Sequence, residues 1–235
     1  MPGHNQAMTR GCFVTGTDTE IGKTLISSAL IHVFRKKGMT AIGMKPVAAG
    51  TTERHGRLIN DDVEALVAAS GVKADRNLVN PYLFNDPIAP HIAAADEKRT
   101  IDHGHIIDCY QQLAAIADMV VVEGVGGFRV PLGNRFDTAD LACRLALPVV
   151  MVVGMRLGCI NHALLTAEAI QSRDLVCIGW VANQVDPEMQ RQAENIAALE
   201  SLLDIPRLGT VEYLFPPDPI AAASRLRLPA SLFAP

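Results

Sequence analysis

The chain has 235 residues, 49% of them hydrophobic and 20% charged, with a formal net charge of −4. That composition fills a globular core, while the acidic balance offers no basic field for nucleic acid or for an anionic membrane surface. The five cysteines form no Cys-x-x-Cys pair and read as reduced, mostly buried thiols of a cytoplasmic protein.

Residues 1–10 are polar and unpatterned, a disordered arm or an expression remnant, without the charged and apolar regions of a signal peptide. The longest apolar run, residues 145–155, is interrupted by Pro148 and too short to span a bilayer. A short apolar strand over 12–15 then runs into Gly16-Thr17-Asp18-Thr19-Glu20-Ile21-Gly22-Lys23-Thr24. Strand, glycine-bounded turn, Lys-Thr and helix, in that order, are what a phosphate-binding loop requires. Successive backbone N–H groups make an anion-binding concavity, and the helix start adds partial positive charge. A lysine there reaches the β/γ-phosphates and a threonine hydroxyl meets Mg²⁺. Five residues separate Gly16 from Gly22, one more than the common pattern, so Thr17 stands where a glycine is usual. The alternative is a strand–turn–helix junction that merely needed glycines.

Leu25, Ile26, Ala29, Leu30, Val33 and Phe34 recur at helical spacing, and Arg35, Lys36, Lys37 and Gly38 end that helix. A buried strand is expected over 41–47, ending in Lys45-Pro46, then a polar loop to Asn60 and a short helix over 63–69 capped by Asp61-Asp62. Residues 80–84 read as extended and 86–91 as Pro-punctuated loop. A helix over 106–116 leads to the Val-rich strand 119–122, which ends in Glu123-Gly124-Val125-Gly126-Gly127. A helix over 138–145, a strand over 149–153 and a helix over 163–171 opened by residues 158–162 follow. A strand over 177–182 ends at Asn183, a helix runs from Pro187 to about Leu203, and 208–213 forms a last strand. From Phe215 the chain is Pro- and Ala-rich and is expected to wrap the surface. Continuously apolar strands alternating with helices indicate α/β architecture, a doubly wound, mostly parallel sheet covered on both faces. No linker, repeat or composition break divides residues 11–235, so one P-loop NTPase-like domain is expected.

Ligands of open parallel sheets gather beyond the carboxyl ends of the strands. Thr19, Glu20, Lys23, Thr24, Lys45, Glu123 and Asn183 all fall there. Glu123 directly follows four apolar residues, a costly place for a carboxylate unless it meets a cation; a Mg²⁺ beside the loop or a structural salt bridge would supply one. Asp62 is read either as half of a helix cap or as a metal ligand. Lys45, between a buried strand and Pro46, is placed to face a γ-phosphate. Residues 158–162 repeat the helix-start logic without a lysine and could hold a carboxylate, or Asn161 simply caps the helix. His91, His103 and His105 have no metal-ligand spacing and receive no role.

Several blocks together resemble one family. Residues 16–24, Lys-Pro-Val-Ala-Ala-Gly (45–50), Asn-Pro-Tyr (80–82), Pro-His (90–91), Val-Glu-Gly-Val-Gly-Gly (122–127), Leu-Gly-Cys-Ile-Asn-His (157–162) and Gly-Trp-Val-Ala-Asn (179–183) are similar, in order and spacing, to the ATP-dependent dethiobiotin synthetases. The resemblance implies ring closure of 7,8-diaminononanoate with CO2 and ATP in biotin biosynthesis, by a cytoplasmic homodimer whose substrate site lies at the subunit interface. It makes Lys23 and Lys45 the catalytic cations and puts Thr24, Asp62 and Glu123 around Mg²⁺. ATP contacts are implied at Thr19, Glu20, Ile21, Gly22, Lys23, Thr24, Leu25, Asp62, Glu123, Gly124, Val125, Gly126, Asn183, Gln184, Val211, Glu212 and Tyr213, with Asn183 reading the adenine. Substrate contacts are implied at Lys45, Ala49, Gly158, Cys159, Ile160 and Asn161. Two departures stand out: Ala49 replaces the usual serine, and Gly209-Thr210-Val211-Glu212 stands where Gly-x-Ile-Pro is common. The rivals are a switch ATPase of the partitioning or division-site type, whose loops begin Lys-Gly-Gly, and another ATP-dependent ligase on the same fold.

Overall fold

The computed structural model describes residues 11–54 and 56–232; the expectations for 1–10 and 233–235 lie outside them. The chain runs β1 (Gly11–Gly16), α1 (Lys23–Lys36), β2 (Ala41–Met44), β3 (Val47–Ala49), β4 (Thr52–Arg54), β5 (Arg57–Ile59), α2 (Asp61–Ala69), α3 (Arg76–Val79), β6 (Tyr82–Phe84), α4 (Pro90–Asp96) and α5 (His103–Ala114). It continues through β7 (Met119–Glu123), β8 (Pro131–Gly133), β9 (Phe136–Asp137), α6 (Thr138–Leu145), β10 (Val149–Met155), α7 (Cys159–Gln171), β11 (Cys177–Gln184), α8 (Gln192–Leu202), β12 (Arg207–Val211) and α9 (Pro219–Arg225). Six strands make the central sheet in the order β12-β11-β10-β1-β7-β2, and every pairing in it is parallel. No helix among the described residues is long and apolar enough to cross a membrane.

Both faces of this sheet are covered, as its near-continuous apolar strands require. Side chains alternate between two cores with the period of two that a strand imposes. In β10, Val149, Met151, Val153 and Met155 enter one core, while Val150 and Val152 enter the other. α1 buries Ile26, Leu30 and Phe34 with the second core, and α5 and α7 bury Ile106, Leu113, Ala163 and Ile170 with the first. The loops leaving β1, β2, β7, β10 and β11 therefore collect at one edge.

Several expectations need correction. The strand over 41–47 is broken: β2 ends at Met44, and β3 pairs with β6 in a separate parallel ladder. Proline 46 lacks an N–H, and the Lys45 N–H donates to the Val79 carbonyl (2.8 Å) instead of the sheet. The cap of α2 is Asn60, whose side chain accepts from the Val63 N–H, so Asp62 is not the cap. The loop over 50–60 contains the β4–β5 hairpin, and the Pro-punctuated stretch ends in α4 with Pro90 in its first turn. The helix expected from Pro187 begins at Gln192, and β12 is shifted to Arg207–Val211. Past Phe215 the chain does more than wrap: α9 packs on α1, burying Ala222 and Leu226 with the second core.

Candidate active site

The β1–α1 loop ends at Gly22, whose left-handed backbone (φ 79°) opens α1 without a side-chain cap. The first N–H groups of α1 are therefore left for a ligand. Lys23, 6% exposed, folds back so that its Nζ donates to the Asp18 carbonyl (2.9 Å). Beneath the loop, the buried Asn183 at the end of β11 donates its Nδ2 to the Ile21 carbonyl (2.8 Å). Its Oδ1 is buried without a partner.

Lys45 sits where the chain leaves β2. Asn80 pins its backbone, donating Nδ2 to the Lys45 carbonyl (2.6 Å) and to that of Tyr82 (3.1 Å), which gives the Asn-Pro-Tyr block a physical task. The Lys45 ammonium, 3% exposed, lies 2.5 Å from Glu123 Oε1, 2.9 Å from Asp62 Oδ2 and 3.4 Å from the Gly124 carbonyl. Thr24 Oγ1 lies 2.7 Å from Asp62 Oδ1 and 2.8 Å from Glu123 Oε1. Two ammonium groups, two carboxylates and a hydroxyl thus share one small volume.

Electrostatics separate the two lysines. Burial, and then the charge of Lys45, pull the Lys23 ammonium down to about 8. Burial acts on Lys45 too, but Glu123 and Asp62 outweigh it and leave its pKa above the ordinary lysine value. For Asp62, burial pushes the carboxyl up, and Lys45 and Thr24 overcome that to hold it low. Lys45 therefore stays an ammonium, while Lys23 titrates at about 8, below the ordinary lysine range.

These groups line a cavity of about 940 Å³ with Thr19, Glu20, Ile21, Gly22, Leu25, Ala49, Val125 and Gly126. Gly124 does not line it; its carbonyl faces the Lys45 ammonium instead. The sequence reading missed other walls: Ser28 of α1, Ala65 of α2, the 87–90 turn before α4, and Pro217 and Pro219 ahead of α9. Ser28 is buried with an unpartnered hydroxyl, and no local pattern marks it. Asn183, Gln184, Val211, Glu212 and Tyr213 lie outside this cavity, Asn183 being buried behind the Ile21 end of the loop. Gln184 Oε1 accepts from the Tyr213 N–H (3.2 Å), Val211 pairs with Asn183 across β11–β12, and Glu212 pairs with Arg225 (3.3 Å).

Gly158, Cys159, Ile160 and Asn161 also lie outside the cavity. Gly158 (φ 94°) opens α7 in the left-handed conformation without a side-chain cap, so Asn161 is not the cap. Leu157 beside it is 96% exposed. His103 stacks on Phe136 and His105 meets the edge of Tyr82, which leaves both in packing roles. All five cysteines are free thiols.

The donor set around Thr24, Asp62 and Glu123 suits a hard cation. Among the described residues no group of three or more His, Cys, Asp or Glu could by itself hold a metal. Two carboxylates and a hydroxyl, with Glu123 Oε2 buried and unpartnered, match the way Mg²⁺ takes one or two carboxylates, waters and substrate phosphates rather than a full protein cage.

Comparison with known proteins agrees with this geometry. The AAA domain family matches residues 10–219. Among solved structures, a ParA family ATPase from Chlorobium tepidum TLS superposes with a TM-score of 0.55 at 11% identity, covering 91% of this chain and 96% of that one. MinD cell division protein of Aquifex aeolicus gives 0.51 at 15% identity, covering 86% and 82%. At such identities these likenesses show the fold, a P-loop NTPase-like α/β sheet, and nothing more. Two sequence relatives go further. The chain is 54% identical over 220 residues to ATP-dependent dethiobiotin synthetase BioD of Aromatoleum aromaticum, covering 94% of this chain and 98% of that one. It is also 54% identical over 222 residues to the BioD of Janthinobacterium sp. (strain Marseille), covering 93% and 94%. Identity of that depth, sustained from end to end and joined to a phosphate loop with two buried lysines, leaves one conclusion: the chain belongs to the family of ATP-dependent dethiobiotin synthetases.

Proposed function

We propose that the chain closes the ureido ring of dethiobiotin from 7,8-diaminononanoate, CO2 and ATP, with the triphosphate in the Lys23–Lys45 cavity and the substrate carboxylate on the α7 turn. Family membership makes it an ATP-dependent ligase of biotin biosynthesis. The observation that carries the finer reading is the convergence of Lys23, Lys45, Asp62, Glu123 and Thr24 at one end of the cavity.

CO2 adds to a neutral amine, so one substrate ammonium first loses its proton. A nearby lysine ammonium disfavours the charged amine and then pairs with the carbamate anion; Lys45, held cationic by Glu123 and Asp62, fills that part. The carbamate oxygen attacks the γ-phosphorus, the bond to the β-phosphate oxygen breaks, and ADP leaves with that electron pair. Charge spreads over the transferring phosphoryl group, where Lys23, Lys45 and the loop N–H groups meet it. The second amine then attacks the carbonyl carbon, loses its proton and expels phosphate as the ring closes. No side chain acts as nucleophile; positioning and fixed charge carry the acceleration. Thr24, Asp62 and Glu123 would hold Mg²⁺, which supplies charge neutralisation to the nucleotide phosphates. Asn183, with its unpartnered buried Oδ1, is suited to accept from the adenine amino group.

The α7 turn does not line the cavity of its own chain, and it carries a fully exposed leucine. Both facts support a homodimer in which the turn of one protomer closes the cavity of the other. Residues 11–235 would then form one ligase domain of a cytoplasmic enzyme. The test is phosphate release from ATP with Mg²⁺, measured with and without diamine and bicarbonate, with the organic product identified by mass. The reading requires release that depends on the diamine and a product of dethiobiotin mass. Equal hydrolysis without the diamine overturns it in favour of a switch ATPase.

A further inference from the structure

We infer that Asp18 is a positioning residue that ties its own protomer's phosphate loop to the turn opening α7, so that one carboxylate fixes the substrate-carboxylate seat which this protomer lends to its partner's cavity. The inference rests on the proposed reading of residues 158–161 as that seat.

Asp18 works in two directions. Its backbone carbonyl accepts from the Lys23 ammonium (2.9 Å). Its Oδ1 accepts from the Thr19 N–H (2.8 Å), which stiffens the loop tip. Its Oδ2 pairs with the Arg156 guanidinium, and His162 Nδ1 lies 3.9 Å away. Arg156 directly follows β10, two residues before Gly158, and its carbonyl accepts from the Cys159 N–H (3.0 Å). His162 closes the first turn of α7, its N–H donating to the Gly158 carbonyl (3.2 Å). The two groups facing the Asp18 carboxylate thus bracket the four residues of the seat. Backbone hydrogen bonding to Thr19, and then Arg156, hold the Asp18 carboxyl below its ordinary value, so it faces the arginine as a carboxylate at neutral pH. A helix start whose only cap is a glycine has no side chain of its own to hold it; the Asp18–Arg156 pair supplies that hold from 138 residues away in sequence.

The pair is half-exposed, with side chains 37% and 42% accessible, so its worth for global stability is small. Its effect is expected in geometry, where displacement of a binding group by a fraction of an ångström is read in the kinetics. A change at Asp18 should therefore act on one substrate and spare the other.

The test compares Asp18→Asn, Arg156→Gln, their double variant and Arg156→Lys, using the full chain with ATP, Mg²⁺ and bicarbonate. KM is measured for ATP, for 7,8-diaminononanoate, and for 2,3-diaminononane, in which a methyl group replaces the carboxylate. Asp18→Asn and Arg156→Gln should each raise KM for the amino acid about tenfold, with KM for ATP within about twofold. The double variant should be no worse than either single one. Arg156→Lys, which keeps the cation, should restore most of the loss. None of the variants should change KM for the methyl analogue. An unchanged diaminononanoate KM in Asp18→Asn, a shift in Arg156→Gln alone, or equal shifts for ATP and diamine overturns the inference. Wild-type protein that handles acid and methyl analogue with the same KM overturns the seat reading itself, and the inference with it.

Discussion

Two neighbouring strands of the sheet, β1 and β10, each lead into a helix opened by a left-handed glycine with no side-chain cap. The backbone device is the same at α1 and α7; the surroundings are not. At Gly22 the loop is underpinned by Asn183 and closed over a buried lysine, whereas at Gly158 the turn stands in solvent with Leu157 exposed. The dipole of a helix start gives an anion only about 0.3–1 kcal/mol at an exposed site, enough to orient a carboxylate. Holding and activating a triphosphate takes the added ammonium groups and the enclosure, and only α1 has them. On the proposed reading, one chain thus presents a strong and a weak anion site from the same local motif, and the reaction needs both.

The largest effect should come from removing what distinguishes the strong site. Lys45→Gln keeps a donor toward Glu123 but loses the cation; turnover should fall at least about 100-fold with ATP binding and circular dichroism retained. Near-normal turnover would erase the distinction between the two sites.

The glycines themselves give the second test. A Cβ at Gly22 would lie 2.2 Å from Asn183 Nδ2, whereas a Cβ at Gly158 meets nothing within 4 Å. Both positions carry the strain of a left-handed backbone, about 1–2 kcal/mol for an L-residue. Gly22→Ala also pushes Asn183 off the Ile21 carbonyl, a further cost of about 1–3 kcal/mol for an unpaired buried group. Chemical denaturation should therefore show a clearly larger loss for Gly22→Ala than for Gly158→Ala, and equal losses would mean the two turns are equally enclosed.

The third test is pH. With its pKa near 8 in the folded chain, Lys23 is charged below that pH and must take up a proton to meet the phosphates above it. The apparent Kd for ATP should be flat below pH 8 and rise by up to about tenfold per unit above it; Lys23→Gln should weaken binding and flatten the profile. Stability moves the other way. The folded pKa lies below the unfolded one, so the penalty from this group is fully present below pH 8 and is relieved between there and the ordinary lysine range. The smallest effect is expected at the weak site: Cys159→Ser should keep turnover within about twofold, because that turn is proposed to act through its backbone.

Legibility in the sequence followed the range of the interactions. The phosphate loop, Glu123 at the rim of β7 and Lys45 before Pro46 were readable because a buried strand ending in a charge is a local anomaly. Asp62 was ambiguous because Asn60, Asp61 and Asp62 all have capping chemistry; the structure gives the cap to Asn60 and so frees Asp62 to face Lys45 and Thr24. The short hairpins and α3 were missed because three or four residues carry no measurable period. The Asp18–Arg156 pair and the packing of α9 on α1 were invisible for another reason: each joins segments more than a hundred residues apart. What a sequence displays is the anomaly at each strand end, and what it hides is which of those ends touch.

The claim that the strong and weak sites of different protomers make one active site is tested most directly by mixing two inactive variants. Lys45→Gln removes the cation at the strong site, and Gly158→Pro, which cannot adopt the φ of 94° that the turn requires, displaces the whole start of α7. If each cavity is closed by the α7 turn of the other protomer, half of the randomly reassembled dimers hold one site with both parts intact, and cyclisation should recover to about a quarter of the wild-type rate. Two variants that are each inactive alone and stay inactive after subunit exchange would contradict the account.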